Sequence, residues 1–193
     1  MNKRSGSKSK ERIIKAATRV FSEHGYEKSS MRMIAKASHI STGGLYLYFR
    51  NKEDLYLTLI KFWIDNYTEN MKKVLCEIQD PVRQIRMYIA MSLNYAQKHR
   101  ELIHLYSREL GLAFSKDIKK NFYKKQTEMV EDIISKGVTA GVFRRCNVKE
   151  AARVIRGTIR GFILSIMVEE DALFSPDECS KLILHGLMIG VRR

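Results

Sequence analysis

The stretch MRMIAKASHISTGGLYLYF, residues 31–49, holds two short apolar-periodic segments on either side of a tight connection. Met31, Ile34 and Ala35 fall on one face of a short helix, and Ser30 stands where a hydroxyl accepts from an otherwise unbonded amide of the first turn. Met33 occupies the place of a capping-box acid, so that cap is one-sided. After Ser38-His39-Ile40, either Ser41 or Thr42 opens a second short helix carrying Leu45, Tyr46, Tyr48 and Phe49. Two such helices make a helix-turn-helix, in which the first braces a second that lays side chains against base edges in the major groove. Ile34, Ala35, Ile40, Leu45 and Phe49 form the inward set. Ser41, Thr42, Gly43, Gly44, Tyr46 and Tyr48 stay outward or at the rim, with hydroxyls suited to phosphates or base edges. Three-helix modules that bind no DNA share this pattern.

Upstream, Ile13, Ala16, Ala17, Val20 and Phe21 predict a helix over about 10–24, stopped by Gly25. Downstream, Asn51 with Asp54 three residues later gives a reciprocal cap for a long fourth helix reaching about Cys76, with Leu55, Leu59, Phe62 and Trp63 among its apolar positions. Asp80-Pro81 opens a helix with Val82, Ile85, Ile89, Ser92, Leu93 and Ala96 facing in, because proline at the first helical position loses no hydrogen bond. Further helices are predicted over about 101–110, 115–140, 149–167 and, started by Ser175-Pro176, 176–191. No segment demands a strand. The fold class is all-α: a three-helix head joined through the fourth helix to a helical bundle, about nine helices in all. The division reads as a flexible basic arm over 1–9, a DNA-binding domain over 10–52 and a larger domain over 53–193.

Charge supports a nucleic-acid partner and is unevenly placed. Residues 1–52 carry 12 Lys/Arg against 3 Asp/Glu, so most of the net +14 sits in about a quarter of the chain, as an electrostatic footprint on phosphates requires. The longest apolar run, within 161–168, is far short of the roughly 20 residues of a spanning helix, and the basic N-terminus has no signal-peptide pattern. A cytoplasmic protein without a membrane partner is the expectation. Cys76, Cys146 and Cys179 fit neither a disulfide framework nor a zinc site. The five histidines are scattered with no metal-ligand spacing and no convergent acid, base or nucleophile, so neither an enzyme nor a cofactor is expected.

Ile14, Ala16, Ala17, Phe21, Gly25, Tyr26, Ser30, Ile34, Ala35, Ile40, Ser41, Gly43, Leu45, Tyr46, Tyr48, Phe49, Lys52, Glu53 and Leu55 together resemble the N-terminal signature of the TetR family of bacterial regulators. The resemblance covers residues 10–56; beyond them it rests on length and helical pattern. It implies a dimeric repressor with an inducer pocket in the larger domain and a recognition helix over Thr42–Phe49. Thr42 and Tyr46 then match base-edge or adjacent phosphate contacts, and Tyr48 and Lys52 match positions that hold the DNA backbone. Two departures stand out. His39 occupies the turn position where the family usually has glycine, which asks a non-glycine residue for a left-handed conformation. Gly44 replaces a frequent Thr or Ser, leaving a poorly helix-favouring Gly43-Gly44 pair.

The expected partners are double-stranded DNA carrying a pseudopalindromic operator, a small and largely apolar effector, and a second copy of the chain. The DNA set is Arg32, Ser41, Thr42, Gly43, Gly44, Tyr46, Tyr48 and Lys52, with Lys3, Arg4, Lys8 and Lys10 as an arm along the phosphates; a solubilising tail explains the arm equally well. Apolar and aromatic pocket walls with a few polar groups point to Tyr88, Tyr95, His104, Tyr106, Phe122, Gln126, Met129 and Phe162, each of which also reads as ordinary core. Arg153, Arg156 and Arg160 suit an anionic effector or a solvated basic face. The resemblance puts the dimer interface on the last two helices, where Gly157 with Gly161, and Gly186 with Gly190, share faces beside Leu182; intramolecular packing accounts for the glycines equally well. A ligand-responsive activator or multi-target regulator is the nearer alternative, and a basic membrane-surface binding protein the more distant one.

Overall fold

Helix boundaries follow side chains that satisfy the open amides of a first turn. The computed structural model describes residues 3–108, 116–165 and 175–188. Its elements are α1 (Lys3–Lys28), α2 (Met31–Ala37), α3 (Thr42–Tyr46), α4 (Lys52–Cys76), α5 (Pro81–Lys98), α6 (Arg100–Arg108), α7 (Lys116–Thr139), α8 (Val148–Ser165) and α9 (Pro176–Leu187). Ser30, Ser41, Asp80 and Ser175 cap α2, α3, α5 and α9 through their side chains. At α4, Asn51 Oδ1 accepts from the Asp54 amide (2.8 Å), while the Asp54 carboxylate reaches past the cap to the Arg50 amide (2.9 Å). The fold is all-α, as the sequence predicts.

The described structure divides into two compact units, Met1–Asp65 with Glu101–Ile118, and Asn66–Arg100 with Lys119–Arg193. The first is a head built on Phe21, Ile34, Leu45, Phe49, Leu55 and Tyr56, all essentially inaccessible. Phe21, Tyr26 and Tyr56 pack as an aromatic triad with centroids 5.1–5.8 Å apart. Because Leu55, Tyr56, Leu59 and Ile60 belong to this core, the compact head runs into α4 past the 52/53 division read from sequence. The backbone of α1 is helical from Lys3. At Gly25 the backbone turns non-helical (φ 75°, ψ 166°), so the first long helical run breaks where the sequence predicts, and a short turn follows to Lys28. His39 takes the left-handed φ of 54° that its turn position demands, the one positive φ outside glycine among the described residues.

The second unit is a bundle whose core joins Met71, Ile85, Ile89, Leu93, Val130, Ile133, Ile134, Ile155, Ile159, Leu184 and Leu187. The link after α7 is fixed by close approach. A Cβ on Gly137 would lie 1.9 Å from the Phe143 ring, and the amides of Val142 and Phe143 both donate to the Gly137 carbonyl. Arg144 then donates to the Leu187 carbonyl at the end of α9, beside an isolated bridge between Phe143 and Met188. Among the described residues no helix is long and apolar enough to cross a membrane.

Candidate functional site

Two places gather the residues singled out by the sequence. The first is the rim of the head around α3. Ser41 Oγ accepts from the Gly44 amide (2.9 Å), so Ser41 is the N-cap and the Thr42 hydroxyl is not engaged as one. The helix is only five residues long, ending at Tyr46 rather than at Phe49, as a Gly-Gly pair in its first turn favours. Leu45 and Phe49 anchor it in the core. Thr42 and Gly43 are exposed, Gly44 and Tyr48 are half-buried, and Tyr46 keeps 51% of its surface open. Arg32 is exposed on α2 and Lys8 and Lys10 on α1; the Lys10 ammonium stands 5.6 Å from the centre of the Phe49 ring. The side chains of Lys3 and Arg4 lie outside the described residues.

Leu47 was passed over by the sequence reading, yet it is 84% exposed, the most open of the large apolar side chains described. The signal was its place between Tyr46 and Tyr48, off the inward face defined by Leu45 and Phe49.

Lys52 is placed differently from its expected role. Its ammonium donates to the carbonyls of Tyr26 (2.8 Å), Glu27 (3.2 Å) and Ser29 (3.1 Å) and lies 4.3 Å from the centre of the Tyr26 ring. Three acceptors match the three donors of an ammonium, so the side chain braces α4 against the end of α1. In this structure all three N–H groups expected to face a phosphate are engaged within the head.

The second place is a polar chain inside the bundle. Arg156 donates to Thr127 Oγ1, and the Tyr88 hydroxyl donates to Oε1 of the neighbouring Gln126 (3.2 Å). Ser92 donates to the Tyr88 carbonyl (2.7 Å), which makes the Tyr67 hydroxyl the donor in the Tyr67–Ser92 bond (2.9 Å). Burial pushes the Tyr67 and Tyr95 hydroxyls up to about 12 and raises Tyr88 as well, so all three remain protonated donors at neutral pH. Arg156 and Arg160 both lie over the Tyr123 ring, 5.0 and 5.2 Å from its centre. From Tyr123 an aromatic row runs through Phe122 (5.8 Å), Tyr67 (5.9 Å), Tyr95 (4.7 Å) and His99 (4.4 Å).

Of the pocket residues expected from sequence, Tyr88 and Gln126 bond to each other and Tyr95 and Phe122 both contact Tyr67. Met129 and Phe162 pack against the bundle core. The side chains of His104 and Tyr106 lie outside the described residues. Tyr67, Tyr123 and Thr127 were not foreseen. Arg153 is exposed and paired with Glu150 (2.8 Å), unlike its two neighbours along α8.

On α8 and α9, Gly157, Gly161 and Gly186 are exposed, and a Cβ added at any of them meets nothing within 4 Å among the described residues. Leu182 is 74% and Val154 66% exposed. Gly190 lies outside the described residues.

Residues 13–59 match the family model of bacterial regulatory proteins, tetR family. The chain is 27% identical over 183 residues to the fatty acid metabolism regulator protein of Bacillus subtilis, covering 93% of each. Among solved structures it is similar to the transcriptional regulator FadR from Bacillus subtilis in complex with stearoyl-CoA, with TM-score 0.78, 24% identity and coverage of 94% of this chain and 98% of that one. It is also similar to AibR in complex with isovaleryl coenzyme A and operator DNA, with TM-score 0.72, 20% identity and coverage of 93% and 98%.

Proposed function

Because the chain belongs to the TetR family of transcriptional regulators and is thereby a DNA-binding regulator, we propose that it is a homodimeric repressor released from its operator by a small acyl-chain effector. The observation that carries the DNA-binding half is the short α3, capped by Ser41 so that Thr42, Tyr46 and Leu47 stay open to a partner. Thr42 and Tyr46 take base edges or adjacent phosphates. Leu47 has no polar atom, so its contribution to sequence preference is apolar contact, for which the thymine methyl is the partner in the major groove. Tyr48, Arg32, Ser41, Lys8 and Lys10 take the backbone, with Lys3 and Arg4 continuing along it.

The effector half is supported by the fatty acid metabolism regulator among the relatives and by the acyl thioesters bound to the two similar structures. The aromatic row in the bundle is chemically suited to a hydrocarbon chain. Two half-sites related by a twofold axis need two recognition helices, and the open glycines with Leu182 on α8 and α9 supply a face for the second copy.

Selection of bound duplexes from a random pool yields the operator and tests the assignment of individual contacts. Thr42→Val then shifts preference among duplexes, whereas Tyr48→Phe weakens all of them alike. Equal loss at every sequence from Thr42→Val removes Thr42 from the readers.

Release follows from linkage. The effector lowers operator affinity only by binding the DNA-incompetent arrangement of the two heads more tightly, and the operator must then lower effector affinity by the same factor. Calorimetry of octanoyl-CoA binding, with and without saturating operator at matched salt, reads that factor. Unequal affinities support induction; equal affinities rule it out.

A further inference from the structure

The hydrogen-bond chain in the bundle ends on a donor. Gln126 is 3% exposed; its Oε1 is taken by the Tyr88 hydroxyl, while its Nε2 has no acceptor among the described residues. A buried amide in that state is destabilising, and an incoming acceptor relieves the penalty. The Tyr95 hydroxyl, also buried, stands in the same condition further along the aromatic row. Arg156 and Arg160 bring two fixed positive charges to the Tyr123 ring, and no carboxylate lies within ion-pair distance of either among the described residues, whereas Arg153 on the same helix has Glu150. Among the described residues the cluster therefore contains a surplus of donors and positive charge and no anionic acceptor. Arg156 is half-buried and Arg160 exposed, so the charge grades from the interior outward.

We infer that Arg156, Arg160 and the Gln126 amide form a site for an oxyanion, carboxylate or phosphate, carried by an effector whose apolar part lies along the Phe122–Tyr67–Tyr95 row. The inference rests on the effector-binding reading of the bundle and specifies its ligand as an anionic amphiphile rather than a neutral hydrocarbon. Arginine suits this place because a planar guanidinium stacks on an aromatic face while its edge presents paired N–H groups to an oxyanion. Both guanidiniums lie over the Tyr123 ring, and Arg156 bonds to Thr127, the residue that follows Gln126 on α7.

The test titrates the full-length protein with octanoyl-CoA, octanoate and octanamide, which share a chain and differ in head group. The wild type binds at least one of the two anions more tightly than octanamide. Arg160→Gln, at an exposed position, weakens the anion roughly ten- to hundredfold, the loss of one charge-assisted bond, and leaves octanamide unchanged. Arg156→Lys keeps the charge but not the fork and weakens it to a smaller degree. A loss confined to octanoyl-CoA assigns the oxyanion to the coenzyme phosphates, and a loss with octanoate assigns it to a carboxylate; either supports the site. Octanamide binding as tightly as both anions, or arginine variants that lose all three ligands equally, overturns the oxyanion site while the effector reading stands. If no octanoyl ligand binds protein that still binds DNA, the acyl-effector reading falls and this inference with it.

Discussion

Replacing Lys52 by methionine lowers the stability of the protein by about 2–3 kcal/mol, the scale of losing hydrogen bonds to a charged group, and leaves the salt dependence of DNA binding where it was. The argument starts from an apparent misfit. A cation in the first turn of α4 opposes the partial positive charge of that helix end, which Glu53 and Asp54 in the same turn offset. The ammonium is instead turned towards the carbonyls of Tyr26, Glu27 and Ser29, at and just beyond the end of α1, where converging carbonyl oxygens present negative partial charge. Methionine retains an apolar stem against Tyr26 and removes only the donors and charge, so the measured loss belongs to the brace. Lys52→Arg recovers little of it, because a planar fork cannot meet three carbonyls converging on one point. Denaturant midpoints at constant m-value give the stability change. Binding to the selected operator over a range of salt gives the other half: a lost phosphate contact would flatten the log–log slope by about 0.9, and an engaged ammonium changes nothing. A flattened slope with unchanged stability would restore Lys52 to the DNA-contact set.

This residue also marks where sequence reading stopped. Ser30, Asn51, Asp80 and Ser175 announced their helices because a cap acts within three residues of itself. His39 announced its strain because the turn geometry is local. Lys52 bonds to carbonyls 23–26 residues away, and nothing in its own neighbourhood distinguishes a lysine aimed at phosphates from one aimed inward. The arginines of α8 pose the same difficulty. Arg153, Arg156 and Arg160 look alike in the sequence, and only the packing of α8 beside α7 separates the pair over Tyr123 from the one paired with Glu150. Tyr67 sits far along a long helix whose apolar pattern was legible through Leu55 and Leu59, but its contacts with Ser92, Tyr95 and Phe122 depend on α5 and α7. Glycine spacing on α8 and α9 is visible in the sequence and ambiguous there; only the packed structure shows the space above Gly157, Gly161 and Gly186 to be open among the described residues.

Leu182→Glu converts the proposed dimer to monomer and removes most of the operator affinity. In the single chain Leu182 is 74% exposed on α9, one turn from Gly186, and Val154 is 66% exposed on α8, one turn from Gly157 and two from Gly161. Each helix thus pairs a large open apolar side chain with glycines that let another helix approach, a combination that costs solvation in a monomer and is satisfied by a second copy. A twofold interface repeats every substitution, so one glutamate per chain buries two unpaired carboxylates; at several kcal/mol for the pair the dimer dissociation constant rises on the order of a thousandfold. Operator binding falls with it, because two linked recognition helices gain an effective concentration that separate heads lack. The position suits the test: a side chain this exposed contributes little to its own chain's core, and the helical spectrum and denaturant midpoint of monomeric protein should match the wild type once concentration dependence is accounted for. Leu182→Gln, polar without charge, gives an intermediate dissociation constant. Sedimentation equilibrium across micromolar to nanomolar protein, run beside operator titrations, reads both quantities; a Leu182→Glu protein that stays dimeric and binds operator like the wild type places the interface elsewhere on the chain.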